Sequence, residues 1–175
     1  PYPCSEDTLK KAHSEEYIKN VKNKTLDKNT IKKIGFPLVD SVVQRSLVAT
    51  GGTVLASKLA IKNGLACNTA GGSHHANFDG GAGYCVFNDV AVAAHYLLDR
   101  GLAGRVLIVD LDVHQGNGNA DIFKDNNLIR ADVICIDEIQ FFPDADVICD
   151  IWANNGKTVV VSGLNGDYNL SLIHI

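Results

Sequence analysis

Apolar residues in the first half of the chain recur at the three- and four-residue spacing that is typical of helices. The longest such pattern begins after Pro37 and ends at Gly64, and it predicts one long helix. Its apolar positions are Leu38, Val42, Leu47, Val54, Leu55 and Leu59. Gly51 and Gly52 lie in its middle, where each glycine lowers helix stability by about 1 kcal/mol relative to Ala. Their presence indicates close packing of the helix against another backbone.

Shorter helical patterns lie before and after this long helix. Residues 5–23 can form two short helices, because Ser5 and Ser14 can each accept a hydrogen bond at a helix start. Residues 89–100 follow Asn88, whose side chain is also suited to the first turn of a helix.

Four apolar runs predict β-strands at residues 65–70, 105–112, 131–138 and 157–163. A helical pattern separates the first run from the second, and residues 144–156 form another one between the last two runs. Strands that alternate with helices are typical of α/β domains with a parallel sheet. We therefore predict an α/β fold built on a parallel sheet.

Composition and charge are typical of a globular protein that binds neither nucleic acids nor membranes. Of the 175 residues, 46% are hydrophobic and 21% are charged, and the net charge is −4. The sequence contains no basic patch for nucleic acid and no apolar run of the ~20 residues that span a bilayer. Its five cysteines are scattered and form no CxxC pair, which indicates reduced thiols and a cytoplasmic location.

Two polar clusters follow the first two predicted strands. The stretch "GGSHHANFDGGAGYC" (71–85) places His74 and His75 side by side among glycines. The stretch after the second strand contains two carboxylates, an imidazole and an amide: Asp110, Asp112, His114 and Asn117. Because the carboxyl ends of parallel strands form the ligand-binding edge of an α/β sheet, we expect both clusters at the same edge.

The adjacent histidines allow three interpretations: an accidental pair, metal binding or proton transfer. Asp112 and His114 are two residues apart, so an extended chain points both side chains to the same side. A carboxylate and an imidazole that converge in this way suit a divalent transition metal. Asp110 points in the same direction or turns toward a neighbour. A phosphate-binding loop is disfavoured, because the chain lacks the G-x-x-x-x-G-K-[ST] pattern.

The stretches "GGSHHANFDGGAGYCVFNDVAVAA" and "RVLIVDLDVHQGNGNADIF" resemble the zinc-dependent histone deacetylase superfamily. The Q-G-N-G after D-x-D-x-H makes the chain most similar to the class IV and related bacterial members. The match runs from Pro1 to Leu128 and implies the N-terminal part of a deacetylase-like domain over residues 1–128. It also implies an arginase/deacetylase-like three-layer fold, a parallel sheet with helices on both faces, truncated to its first half.

The resemblance implies a role for each polar residue of the two clusters. Asp112 and His114 resemble two of the three protein ligands of the catalytic Zn²⁺. His75 resembles the general base that takes a proton from zinc-bound water, and His74 resembles its electrostatic partner. The remaining positions orient the histidines or line the acyl-lysine tunnel: Asp110 beside His74, Asn117 beside His75, and Gly83 and Tyr84 along the tunnel wall.

The implied reaction is hydrolysis of the amide of acetyl-lysine or a related acylated amine by metal-activated water. The family supplies a third zinc ligand, an Asp, and a carbonyl-polarising Tyr further along the chain. Neither is found in its expected context after Leu128, so we expect this chain alone to be inactive. A non-catalytic remnant that still binds acyl-lysine is an alternative interpretation.

The sequence from Ala131 to Tyr168 resembles thymidine kinase, through "DEIQFFPD" and "ANNGKTVVV". This resemblance implies a kinase-like fragment over residues 129–169, with Asp137 as the Mg²⁺-linked acid and Glu138 as the base for the nucleoside hydroxyl. A thymidine kinase-like phosphotransferase is therefore a second alternative, although the sequence lacks the phosphate-binding loop that phosphoryl transfer requires.

The last six residues, "LSLIHI" (170–175), resemble the translation of a mosaic-end sequencing adaptor, and the chain does not begin with Met. Together with the two family resemblances, this tail favours a chimeric assembly whose join lies near residues 128–131. We therefore expect a non-native tail at 170–175 after the deacetylase-like and kinase-like parts.

Overall fold

The described part of the chain contains six helices and four strands in this computed structural model. It comprises residues 1–123 and the backbone of two further strands. The helices are α1 Glu6–Leu9, α2 Glu15–Asn23, α3 Lys28–Ile34, α4 Asp40–Asn63, α5 Asp89–Asp99 and α6 Asn117–Phe123. The strands are β1 Leu65–Asn68, β2 Val106–Asp110, β3 Val133–Asp137 and β4 Thr158–Ser162.

All four strands run parallel in one sheet with the order β1-β4-β3-β2. The α/β class and the four predicted strands are thereby confirmed, although each strand is shorter than its apolar run. In register, Asn68 lies opposite Ser162, and Asp110 lies opposite Asp137. The carboxyl ends of β1 and β2 therefore reach the same edge of the sheet, and the two polar clusters begin there.

Helices α4 and α5 pack against each other and against the sheet. Helix α4 contacts β1 and β4, and α5 contacts β2. Apolar side chains of this region form one core cluster: Ala56, Ala60, Val90, Ala94, Leu97, Ala103 and Val106. A helical layer on the opposite face of the sheet stays a prediction, and the predicted helix at 144–156 lies outside the described residues.

The first two helices confirm the prediction of two short helices near the N-terminus. The Ser5 hydroxyl accepts a hydrogen bond from Thr8 N, and the Ser14 hydroxyl accepts one from Tyr17 N. The other core cluster is formed by α1, α2, α3, the first half of α4, and the segment that leads into α5 with the start of that helix. Its largest buried side chains include Leu9, Tyr17, Ile18, Ile34 and Phe87. None of the described helices is long and apolar enough to cross a membrane.

The two glycines in the middle of α4 lie where other parts of the chain approach the helix closely. A Cβ on Gly51 would stand 2.0 Å from the carbonyl oxygen of Tyr2. A Cβ on Gly52 would stand 3.1 Å from the side-chain amide nitrogen of Asn68. The predicted close packing is confirmed, and at Gly51 the partner is backbone. The contact at Gly52 brings Asn68, at the end of β1, against the helix.

The hydrophobic pattern predicts neither α3 nor α6, because both are seven residues long and mostly polar. Local signals do mark α3: Asp27 accepts hydrogen bonds from the first-turn nitrogens, and Gly35 ends the helix at φ +95°. Helix α6 begins at Asn117, inside the second polar cluster, and its glycine disfavours a helix by propensity. Asn117 and the residues after it therefore stand on a short helix at the sheet edge.

Candidate functional site

The loop that carries the adjacent histidines is anchored to the buried carboxylate of Asp89, the first residue of α5. The N–H groups of Gly72 and Ser73 donate to this carboxylate at 3.1 and 2.8 Å, and the Thr53 hydroxyl on α4 donates to it as well. Asn68 donates in turn to Thr53 Oγ1 at 2.7 Å. Burial raises the pKa of Asp89, against the effect of these donors. The loop is thus held by hydrogen bonds immediately before the first histidine.

His74 is buried and pairs with Asp110, the last residue of β2. Its Nδ1–H donates to Asp110 Oδ2 at 2.8 Å, because a carboxylate can only accept. Asp110 also accepts from Asn119 Nδ2 at 3.1 Å and from the backbone N–H of Asp112 at 3.2 Å. Burial raises the pKa of Asp110, but the hydrogen bond and charge of His74 and the other donors outweigh it and hold the pKa below its usual value. Asp110 therefore turns toward the histidine, one of its two predicted orientations.

His75 faces a different partner, the side-chain amide of Asn117 at the start of α6. The distance from His75 Nδ1 to Asn117 Oδ1 is 2.7 Å, and the amide oxygen accepts from the Nδ1–H. The two adjacent imidazole rings lie 4.1 Å apart between centroids, and His75 lies 6.0 Å from the ring of His114. Three imidazoles thus lie close together. His74 has a carboxylate as its partner, whereas His75 has a neutral amide.

Asp112 and His114 converge through a turn and not through strand alternation, which corrects the extended geometry expected from the sequence. Strand β2 ends at Asp110, and the Asp112 carboxylate accepts a hydrogen bond from the backbone N–H of His114. Asp112 Oδ1 and His114 Nδ1 then lie 2.9 Å apart. Asx-type hydrogen bonding of this kind is a property of Asp in turns, so it places both donors on one side of the loop.

The pair fits two positions of a tetrahedral metal site. With bonds of about 2.0–2.1 Å, two neighbouring ligands of a tetrahedral Zn²⁺ stand about 3.3 Å apart, close to the observed separation. The His114 ring is also well exposed, with 71% of its side chain accessible, so an ion can reach it. Within residues 1–123 no group of three or more His, Cys, Asp or Glu side chains is placed to hold one metal ion. A catalytic zinc site needs three protein ligands, so this pair alone would not complete one.

Gly83 and Tyr84 form a tight turn against His75, and both have positive φ, +52° and +65°. A Cβ on Gly83 would stand 2.4 Å from His75 Cδ2, so only glycine allows this approach. The turn is fixed to the end of α3, since the two N–H groups donate to the carbonyls of Lys33 and Ile34 at 3.0 and 2.8 Å. Tyr84 is 72% exposed and has its ring stacked on Phe36. A strained, exposed aromatic residue beside the histidines is typical of a ligand contact.

A cavity of about 440 Å³ joins both loops and the turn. Its lining includes His74, His75, Gly83, Tyr84, Asp112 and His114, together with Arg45 and residues 69–73. Six of the eight predicted deacetylase site residues therefore share one cavity. The other two, Asp110 and Asn117, contact its histidines from the side.

The remaining predicted residues belong to the kinase-like stretch. Asp137 ends β3 in register with Asp110. Glu138 lies outside the described residues, so the kinase-like roles of both positions stay predictions. Sequence reasoning misses Asn119, Asp89 and Phe36. Asn119 donates to Asp110, Asp89 anchors the loop before His74, and Phe36 stacks on Tyr84. Asn119 and Asp89 lie close to the two motifs in the sequence, whereas Phe36 lies far from both.

Comparisons with known proteins show the family to which this chain belongs. A profile of the histone deacetylase domain matches residues 1–167, which include both polar clusters and most of the kinase-like stretch. A curated but uncharacterised protein of Picosynechococcus is 50% identical over 118 residues, 67% of this chain and 39% of that protein. Histone deacetylase 2 of Arabidopsis thaliana is 35% identical over 136 residues, 74% of this chain and 35% of that protein.

Two solved structures of HDAC homologues are similar to this chain in fold. An HDAC homologue from Aquifex aeolicus and an HDAC homologue complexed with SAHA both have a TM-score of 0.63 and 28% identity to this chain. Each alignment covers 81% of this chain and 40% of the solved chain. The chain thus spans well under half the length of the relatives that it matches.

Proposed function

Because the chain belongs to the histone deacetylase domain family, we propose that it forms part of a zinc-dependent enzyme that hydrolyses acetyl-lysine or a related acylated amine. One observation carries this proposal: His74 and His75 lie side by side with unlike partners, a carboxylate and an amide. Both histidines line the cavity that contains the metal-ligand pair. An accidental histidine pair would not have two specific and different partners.

Asp112 Oδ1 and His114 Nδ1 are the atoms that would hold zinc, and their separation of 2.9 Å supports this assignment. Zinc at this position would lower the pKa of bound water to about 7 and polarise the substrate carbonyl. The third ligand and the polarising Tyr are expected from the remainder of the fold. For this reason we propose that the present chain does not turn over substrate by itself.

His75 acts in this proposal as the general base. Its Nδ1–H is held by the neutral amide of Asn117, which leaves Nε2 as the atom that accepts a proton from the attacking water. The same nitrogen returns the proton to the leaving amine.

His74 acts as the electrostatic partner, because the Asp110 carboxylate at its Nδ1 favours the imidazolium form. The two adjacent histidines thus differ in the group that each contacts, a carboxylate and an amide. A cation beside the reacting carbonyl stabilises the negative charge that develops there. Gly83 and Tyr84 would contact the acyl-lysine stem, the former through its backbone and the latter through its exposed ring.

Substrate binding and acetate release test the proposal separately. Addition of Nε-acetyl-lysine amide to the zinc-loaded chain is expected to shift the NMR signals of His75 and Tyr84, because both line the cavity. Lysine amide without the acetyl group is the matched control and should leave these signals in place. Acetyl-lysine that shifts neither signal would contradict the proposed function. Zinc-dependent release of acetate would contradict the proposed inactivity of the chain alone.

A further inference from the structure

We propose that Asn119 is a positioning residue of this site, which holds Asp110 and, through it, orients His74. This role would matter for catalysis only through the proposed function, on which it rests. Asn119 stands on α6, and its side chain connects two groups. Its Nδ2 donates to Asp110 Oδ2 at 3.1 Å, and its Oδ1 accepts from Asn88 Nδ2 at 2.8 Å. Its backbone N–H donates to the carbonyl of His74 at 3.2 Å.

Asn119 is one of three donors that fix the orientation of the Asp110 carboxylate. Oδ2 of Asp110 receives both His74 Nδ1 and Asn119 Nδ2, whereas Oδ1 receives the backbone N–H of Asp112. With these three donors each carboxylate oxygen has a fixed role. Without Asn119, Oδ2 would keep only the His74 contact among these three, and the carboxylate would have more freedom about its χ2 angle. Because χ2 of Asp is a soft torsion, each added donor narrows its range.

The amide of Asn119 has only one orientation that satisfies both of its neighbours. A carboxylate only accepts hydrogen bonds, so Asn119 must present its NH₂ group to Asp110. Its oxygen then faces Asn88, whose NH₂ group donates to it and to the carbonyl of Ala76 at 3.1 Å. The Asn88 oxygen is occupied by Ala91 N, 2.9 Å away in the first turn of α5. Reversal of either amide would place like groups against each other.

The chain of hydrogen bonds ends in the fully buried part of the fold. Asn88 is 0% exposed, and its backbone N–H donates to Nε2 of the buried His13 at 2.9 Å. Asn119 therefore connects the site to a rigid anchor, the N-terminus of α5 and the packing around it. Buried, fully satisfied polar networks of this kind restrict side-chain geometry more than isolated pairs do. Helix α5 thus restrains the orientation of His74 through the hydrogen bonds of Asn88, Asn119 and Asp110.

The test compares the chain with its Asn119→Leu and Asn119→Asp variants, without metal or substrate. Leu matches Asn in size and makes neither hydrogen bond, whereas Asp keeps the acceptor for Asn88 but cannot donate to Asp110. Long-range ¹H–¹⁵N NMR of the imidazole nitrogens reports the tautomer of His74 and the exchange of its Nδ1–H with water. In both variants we expect this exchange to be about tenfold faster or more, as loss of a hydrogen bond to a charged group implies.

Gln115→Ala is the matched control, because Gln115 is an exposed amide in the same segment and its side chain makes no hydrogen bond within the described residues. It should leave the His74 signals unchanged. If Asn119→Leu does not fold, the Asn119→Asp variant decides. A folded variant with wild-type tautomer and exchange at His74 would overturn the inference, even if the variant were less stable. Failure of the proposed function would appear instead as a lack of acetyl-lysine binding, which these spectra do not require.

Discussion

Replacing Gly118 with alanine is expected to lower the free energy of unfolding by about 3 kcal/mol, because the added methyl group has no space. A Cβ on Gly118 would stand 2.3 Å from the carbonyl oxygen of Ala76 and 2.5 Å from that of His74. Both oxygens belong to the backbone of the histidine loop, so no side-chain rotation can relieve the contact. Helix α6 must move away from the loop, and this movement separates Asn117 from His75.

Urea unfolding followed by circular dichroism measures this effect. Gly80→Ala is the matched control in the same loop, since its Cβ would meet only Asn77 Oδ1, at an ordinary distance of 3.4 Å. We expect the control to unfold at nearly the wild-type urea concentration. Equal stabilities of the two variants would mean that α6 does not pack on the histidine loop as described.

The free energy of unfolding should also fall steeply as the pH is lowered into the acid range, because His13 is buried as a neutral imidazole. Its Nδ1–H donates to the carbonyl of Asn77 at 2.9 Å, and its Nε2 accepts from Asn88 N. Burial lowers the pKa of His13 to about 4 from the ordinary 6.5, and it outweighs the hydrogen bonds to backbone carbonyls and the charge of Asp79, which act in the opposite direction. A proton on Nε2 would meet the N–H of Asn88, so the fold disfavours the charged form.

The direction of the pH effect follows from this lowered pKa. Between pH 6.5 and pH 4 the unfolded chain binds the proton on His13 and the folded chain does not. The contribution of His13 to stability is therefore complete above pH 6.5 and is lost as the pH falls through 4. At pH 4.5 the loss relative to pH 7.5 is on the order of 2–3 kcal/mol.

Urea unfolding of the chain and of His13→Gln at these two pH values isolates the histidine from the carboxylates. Gln can accept from Asn88 N through its side-chain oxygen but does not titrate. We expect the variant to be less stable than the wild type at pH 7.5 and to lose less stability on acidification. Parallel losses in the two proteins would exclude His13 as the cause.

Much of the fold was predictable because its elements carry strong local signals. The four strands are continuous apolar runs, and α4 and α5 have long apolar patterns with defined ends. Helices α3 and α6 are short and polar, so hydrophobic periodicity does not reveal them. The position of β4 between β1 and β3 depends on pairing between distant segments, for which no local pattern exists.

In the candidate site, the partners of the two histidines were predictable from the sequence, whereas the turn at Asp112 and the role of Asn119 were not. The partners of His74 and His75 were expected from a family resemblance, and the contacts are present at 2.8 and 2.7 Å. The convergence of Asp112 and His114 was also expected, but its cause is a turn that caps the backbone of His114. Asn119 was missed, since its importance depends on the approach of α6 to α5 and not on residue type. Its role is therefore visible only in the hydrogen-bond network.

In the proposed function, Asp112 and His114 form the metal-binding half of a hydrolase site beside two differently partnered histidines. Zn²⁺ titration of the chain by calorimetry, compared with the variants Asp112→Asn and His114→Ala, tests it most directly. His95→Gln is the control, because His95 packs on Phe123 and does not line the cavity that holds the pair. We expect weak binding at one site, reduced about tenfold or more in either variant and unchanged in the control, because each substitution removes one of the two donors of the pair. Zn²⁺ binding of equal strength in the wild type and both variants would contradict the claim.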